Sequence, residues 1–422
     1  MPDTTPPDRR DFLKGAAAAA GAAALASGPR LLRAQNLNSR VGIGMVGCGS
    51  IATHLTNSAF LPLREKGQVD VVEVCDVYDG HAAEMTKRTG AKSGRDYRKL
   101  LENKGVDVVY IGTPDHWHSK VTIDAAEAGK DVYCEKPMTH WRNLDEARNV
   151  VKTIERTKRI MQVGTHRMSD NNFVQASEKI RAGALGPLIS AQASDCRNTY
   201  FGCYDPLQKS DAVKPGVNLD WDMWQGPAEK VPFELGRFLA FRVFWDYSGG
   251  LGTDLFPHLL TPLVQMMDLK YPLRCVSSGG NYFFRQGWQV PDVFSAVWEY
   301  PNGPSLHLLA NMANDTNLDM QIRGRKATLT VHGEPGSRVE IVSQEAKPKE
   351  QRAREEMPPA GGGTHRDHFE DFLACVKDRS RKPRSNEKIG YQVMVALHMG
   401  IRSWREGKVL VYDEAKDEVK AL

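Results

Sequence analysis

The sequence predicts two domains of different class, an α/β domain on a doubly wound parallel sheet and then a strand-rich α+β domain. Three observations carry this. An apolar strand-like run, Val41 to Val46, leads straight into a glycine-rich turn, Gly47-Cys48-Gly49-Ser50-Ile51-Ala52. Strand-like and helix-like segments then alternate as far as residue 164, the rhythm of parallel strands joined by crossover helices. Beyond that point short strand-like runs follow one another with turn residues between them. A length of 422 residues also exceeds what one hydrophobic core normally serves.

The residues before the first strand read as an address. Arg9-Arg10-Asp11-Phe12-Leu13-Lys14 is followed by a Gly/Ala run from Gly15 that ends in Ala24-Leu25-Ala26. A charged region, a short weakly apolar region and a small-residue cleavage pattern make a targeting segment, and a disordered basic tail is the alternative. The paired arginines resemble the twin-arginine export signal, which implies the twin-arginine export machinery as a partner and a periplasmic or extracytoplasmic destination. Residues 1–35 are therefore set apart as signal and linker, 36–164 as the first domain and 165–422 as the second. No apolar run reaches the roughly 18–20 residues of a membrane span, so no stable span is expected after processing. With 56 basic against 52 acidic residues and a net charge of +4, nucleic acid is not an expected partner.

The glycine turn has the G-x-G-x-x-A form. The first glycine permits the tight turn, the second lets a pyrophosphate approach the backbone, and the small third residue lets helix and strand pack. Gly47, Gly49, Ser50 and Ile51 are thus candidate cofactor contacts. The next strand-like run, Val71 to Cys75, ends at Asp76. A carboxylate there suits both ribose hydroxyls and disfavours a 2′-phosphate, so NAD is expected over NADP. Val106–Ile111, Asp131–Cys134 and Ile160–Val163 continue as strands, with helix-like Ser119–Gly129 and Leu144–Lys158 between them. In such sheets ligands sit beyond the carboxyl ends of the strands. That points to Thr113, Pro114 and His118 in one segment, and to Glu135 and Lys136 in another.

In the second half the strand-like runs are Leu188–Asp195, Cys275–Gly279, Val293–Tyr300, Leu306–Ala310, Met320–Ile322, Ala327–Val331 and Val339–Val342. Helix-like His368–Lys377 and Gly390–Trp404 close the chain. The seven cysteines are odd in number and form no Cys-x-x-Cys, which argues against zinc-ribbon and thioredoxin-like readings. Cys48, Cys75 and Cys134 read as small buried residues. Cys196 and Cys203 lie in a loop-like stretch where a disulfide has no support.

Gly47-Cys48-Gly49, Thr113-Pro114 with His118, Ala125 to Lys130 and above all Glu135-Lys136-Pro137 resemble the Gfo/Idh/MocA oxidoreductases, a family that includes glucose–fructose oxidoreductase and inositol dehydrogenase. The resemblance extends through Trp221 to Pro227 and His368 to Phe372. It implies an N-terminal Rossmann domain and a C-terminal α/β domain with a large, mostly antiparallel open sheet. The last helices would pack back toward the first domain, and the chain would form a homo-oligomer, a dimer or tetramer. It also implies a metal-free site, and His116 and His118 have no evident third ligand.

In that family the lysine matching Lys136 is catalytic or orients the substrate. The alternative is a surface lysine bridging carboxylates. Asp254 and His258 stand at i and i+4, so one helical face could carry both, as in the inositol dehydrogenase pattern where the histidine relays the hydroxyl proton. The alternative is Asp254 as a helix cap with a packed His258. Pro257 between them fits only the first turn of a helix. Trp117 covers the cofactor or packs. His166 or Arg167 touches substrate or nicotinamide ring, and Asp195, Arg197 and Tyr200 could hydrogen-bond a polyol or lie in a solvated loop.

The expected activity is hydride transfer between a carbohydrate C–OH and a tightly bound NAD, with Lys136 and His258 as acid and base. No obvious pool of free NAD exists outside the cytoplasm, so the cofactor should be kept and regenerated in each turnover. Two alternatives stand beside this. One is a redox-neutral glycosidase by oxidation, elimination, hydration and reduction, as in glycoside hydrolase family 109. Pro257-His258-Leu259-Leu260-Thr261-Pro262 loosely resembles that branch, while Asp254 points to the dehydrogenase pattern. The other is a non-catalytic sugar or NAD sensor. No carboxylate pair for ordinary hydrolysis is evident.

Overall fold

The computed structural model describes residues 40–198, 204–333 and 338–422. The export-signal residues, Tyr200 and Cys203 lie outside that set.

The first sheet is parallel throughout. Its strands are β1 (Val41–Val46), β2 (Val69–Cys75), β3 (Lys92–Gly94), β4 (Val108–Ile111), β5 (Asp131–Cys134) and β6 (Met161–Val163). They run in the order β3-β2-β1-β4-β5-β6. The order reverses direction beside β1, and a doubly wound sheet opens its ligand crevice there. Burial explains the central strands: β1, β4 and β5 are buried at every position, as strands covered on both faces must be. Edge strand β3 was not anticipated, because Lys-Ser-Gly has no apolar residue and is exposed throughout. The helix expected from Ser119 begins earlier, at Asp115.

The second sheet has ten strands. They are β7 (Leu188–Cys196), β8 (Arg274–Gly280), β9 (Val293–Glu299), β10 (Ser305–Asn311), β11 (Met320–Gly324), β12 (Ala327–His332), β13 (Arg338–Ser343), β14 (Arg354–Met357), β15 (Leu410–Asp413) and β16 (Glu418–Ala421). The order is β14-β13-β12-β11-β7-β10-β9-β8-β15-β16. Only β7 with β10 is parallel among the described pairs. Alternating burial in β9 and β10 marks a sheet with one face covered. Much of that cover is the helix Glu387–Glu406, whose Ala396 carbonyl accepts the indole N–H of Trp298 at 2.8 Å.

The helix His365–Lys377 packs back on the first sheet. Its fully buried Phe369 and Phe372 join Phe60, Tyr110 and Tyr133 in one aromatic cluster. A capping box, Thr364 with Asp367, starts this helix beside the site described next.

Candidate active site

A cavity of about 700 Å³ runs from the glycine turn, along the carboxyl ends of β1, β2, β4 and β5, to the second sheet. At one end stand Gly47, Gly49, Ser50, Ile51 and Asp76; at the other stand Lys136, His166, Arg197, Tyr204, Arg242, Asp254 and His258.

The glycine end has the shape a dinucleotide needs. Gly47 has φ +86°, and a Cβ there would lie 2.7 Å from the Gly112 carbonyl carbon, so only glycine fits. A Cβ on Gly49 would meet nothing within 4 Å, which leaves open space where a pyrophosphate would approach. No side chain caps the helix that begins at Ser50, so its first N–H groups are free to face an anion. Asp76 lines the cavity and also braces the turn. Its Oδ2 accepts from Cys48 N and its Oδ1 from Tyr78 N, both at 2.8 Å.

The reacting end is built across the two sheets. Lys136 follows β5, and its Nζ donates to Asp254 Oδ1 at 2.5 Å and to the Asp254 carbonyl at 2.7 Å. Tyr204 donates its hydroxyl to Asp254 Oδ2, and Arg242 Nε lies 3.3 Å from Oδ1. Asp254 and His258 do not share one helix. The helix Leu251–Asp254 ends, Leu255 intervenes, and Phe256–Met266 begins with Pro257 in its first turn. Gly249 and Gly250 precede this break, and a Cβ on Gly250 would strike Val290 at 2.7 Å. Both Asp254 and His258 still reach the cavity, from consecutive short helices. Asp254 caps neither of them with its side chain.

Four histidines form a ring-to-ring file along the wall. His258 lies 5.3 Å from His166, His166 stacks 4.1 Å from His365, and His365 lies 4.7 Å from His54. Burial, and then neighbouring cations, hold His258 well below the usual imidazole range. Burial, then His365, lowers His166 to about 2, and burial, then His54, lowers His365 to about 4. In all three, burial favours the neutral ring. His258 Nδ1 and His166 Nδ1 are buried with no hydrogen-bond partner among the described residues. Burial pushes Glu135 up to about 7, against the pull of Lys136.

Several candidates sit elsewhere than the sequence suggested. His118 is not on the cavity wall; its ring nitrogens meet the carbonyls of Pro137 at 2.6 Å and Thr113 at 2.8 Å, clamping the two ligand-facing loops together. Arg167 lines a second, smaller cavity with Asp170, Ser194 and Asn317, while His166 takes the main one. Asp195 lies within β7, and its Oδ1 accepts from Arg197 Nε at 3.0 Å. Cys196 ends β7 as a buried thiol rather than lying in a loop. Trp117 lines the cavity and donates its indole N–H to the Trp224 carbonyl at 2.9 Å. Among the described residues no group of three or more His, Cys, Asp or Glu side chains is set to hold a metal. Tyr204, Arg242, His54 and His365 carry no motif and were missed. Only proximity in the fold reveals them.

Comparison with known proteins agrees with this architecture. Residues 41–165 match the profile "Oxidoreductase family, NAD-binding Rossmann fold" of Gfo/Idh/MocA, and residues 196–275 match its "C-terminal alpha/beta domain". The first domain is thus an NAD-binding domain. Residues 6–26 match the twin-arginine translocation signal, which indicates export to the periplasm or beyond. No helix among the described residues is long and apolar enough to cross a membrane. The chain is 33% identical over 153 residues to inositol 2-dehydrogenase of Salmonella typhimurium, covering 35% of this chain and 43% of that one. It is 26% identical over 346 residues to glycosyl hydrolase family 109 protein 1 of Shewanella sp., covering 75% and 67%. The chain spans less than half the length of the inositol dehydrogenases it matches. Among solved structures it shares its fold with the WlbA dehydrogenase of Bordetella pertussis in complex with NADH and UDP-GlcNAcA. The TM-score is 0.66 at 17% identity, covering 90% of this chain and 99% of that one.

Proposed function

Because residues 41–165 and 196–275 match the two Gfo/Idh/MocA oxidoreductase models, we propose that the chain is an exported carbohydrate oxidoreductase that keeps one NAD and reuses it. The observation that carries this is the contact of Lys136 with Asp254, beside His258, at the far end of the cavity that starts at the glycine turn.

The residues at the glycine end fit a dinucleotide. Gly47, Gly49, Ser50 and Ile51 would hold the pyrophosphate, Asp76 the adenosine ribose, and Thr113, Pro114 and Glu135 the inner part. When bound, the nicotinamide supplies a hydride acceptor and donor. The side chains handle the proton and the orientation. Asp254 holds the Lys136 ammonium, whose remaining N–H can fix the substrate oxygen. His258, held toward its neutral form and placed on the cavity wall, receives the proton of the substrate hydroxyl and returns it in the reverse step. Burial of the site excludes water from these steps. His166 and Arg197 would contact substrate directly, and Asp195 acts by holding Arg197. His118 acts by fixing the loops of Thr113 and Lys136.

A homo-oligomer pairing through the open sheet belongs to the same reading, since Ile189 on β7 and Val276 on β8 are half-exposed apolar residues. The deciding experiment is isotope transfer. A sugar deuterated at the oxidised carbon should pass its label to a second, carbonyl-bearing sugar with no NAD added. Label that never moves, over a broad sugar panel, would instead favour the sensor.

The glycosidase stands as the second reading, favoured by the family 109 relative that matches three-quarters of this chain. It uses the same lysine and histidine, with the carbonyl formed on the sugar acidifying the neighbouring C–H before elimination and hydration. Release of an aglycone from p-nitrophenyl glycosides without net oxidation selects it.

A further inference from the structure

The proposal concerns the substrate class and rests on the carbohydrate reading above. Around Lys136 the cavity offers hydrogen-bond donors but few free acceptors. Asp254, the carboxylate nearest the reacting end, is fully engaged: Oδ1 faces both Lys136 and Arg242, and Oδ2 takes the Tyr204 hydroxyl. Arg242 is held to that carboxylate through Nε. Its Cζ lies 4.6 Å from the Phe241 ring centroid and 6.0 Å from that of Tyr204, which fixes the plane of the guanidinium. Its side chain is 18% exposed, and it lines the cavity. No carboxylate other than Asp254 meets Arg242 among the described residues.

The field has the same sign. Arg197 lines the same end, oriented by Asp195. Lys136, Arg167 and Arg197 each add to burial in keeping His258 neutral. Of two further carboxyl groups on the wall, burial raises Asp115 and pushes Glu135 up to about 7, so Glu135 offsets less positive charge than an ordinary carboxylate would. A neutral polyol would use the donors poorly. A planar or tetrahedral oxyanion satisfies a guanidinium fork with two parallel N–H···O bonds.

We propose that the substrate is an acidic sugar whose carboxylate or phosphate docks on the outer edge of Arg242, with Arg197 beside it. Arg242 is then a specificity residue that also steadies Asp254.

The test uses calorimetry on the processed, NAD-loaded protein with matched probes. D-glucuronate and D-galacturonate are each compared with the corresponding uronamide, and glucose 6-phosphate with glucose. At least one acid should bind about tenfold tighter than its neutral partner, the scale of a charge-assisted hydrogen bond. The carboxylate and phosphate arms identify which anion fits. In Arg242→Gln the acid-over-neutral ratio should fall to about threefold or less as the charge-assisted bond is lost, while NAD is retained. Arg242→Lys should keep part of the ratio, since the charge remains without the fork. A merely structural role would weaken acid and neutral probes equally and would overturn the proposal. So would the absence of any acid preference in all arms, including no binding of any acid, or a loss of NAD in place of acid affinity. Failure of the oxidoreductase reading is separable, because calorimetry reads binding without turnover and nucleotide content is measured in the same samples.

Discussion

Lys136 Nζ lies 2.5 Å from Asp254 Oδ1, joining the end of β5 in the first sheet to a short helix that belongs with the second. The side chains are 14% and 11% exposed, so the pair is largely shielded from solvent yet open to the cavity. Neither domain contains the reacting end by itself.

Lys136→Ala should therefore retain NAD and lose turnover. The expected loss is about 10²–10³-fold in kcat, the scale of removing one charged donor that holds the reacting oxygen. Arg242 and Tyr204 remain to satisfy Asp254, so the variant should fold. Near-normal turnover with bound nucleotide would remove Lys136 from the mechanism.

Asp76→Ala should weaken NAD retention and also lower stability. Its carboxylate accepts two backbone N–H groups, from Cys48 and Tyr78, so part of the effect precedes any ligand. Loss of those bonds costs about 1–3 kcal/mol. Thermal melts of the nucleotide-stripped protein isolate that part. Equilibrium dialysis with NAD measures the rest. Unchanged affinity for NAD would show that Asp76 serves only the turn.

Glu135 gives a pH prediction with a definite sign. Burial raises its folded-state value to about 7 from an ordinary 4.5, so the folded state binds the proton more tightly than the unfolded chain does. Stability from this group is then fully present below the unfolded value and is lost as pH rises from about 4.5 through 7. Glu135→Gln removes the loss. Its melting temperature relative to the parent should rise between pH 5 and pH 8, by at most about 3 kcal/mol in free energy. A pH-independent difference would contradict the buried-carboxyl account.

Phe369→Ala should cost about 3–5 kcal/mol, because the ring is fully buried between Phe60, Tyr133 and Phe372. The same helix starts at His365 on the cavity wall. Chemical denaturation reads the stability, and a loss under 1 kcal/mol would mean that the helix is not anchored there.

Much of this was legible in the sequence because local chemistry dictated it. Gly47 needs a positive φ, Gly49 an open approach and Asp76 a place at the end of β2, and each requirement leaves a residue type in the chain. Edge strands left no such mark. β3 is Lys-Ser-Gly, exposed throughout, and β14 is Arg-Glu-Glu-Met, in which Met357 alone is buried. Arg242 sits in a 3-10 turn, Phe241–Val243, and Tyr204 follows residues outside the described set. Their meeting with Asp254 is a long-range contact that no spacing encodes. The i, i+4 spacing of Asp254 and His258 suggests one helical face, whereas the chain breaks at Leu255 into two short helices, a break no distinct residue type announces; both side chains still line the cavity.

The proposed chemistry depends on one NAD that stays in the protein and cycles there. The most direct measurement is to denature the purified, signal-free protein, identify the released nucleotide, and in parallel incubate native protein with sugars and p-nitrophenyl glycosides without added NAD. The account predicts close to one NAD(H) per chain and turnover that needs no added cofactor. Protein that releases no nucleotide, and turns over only when NAD is supplied in solution, would contradict it.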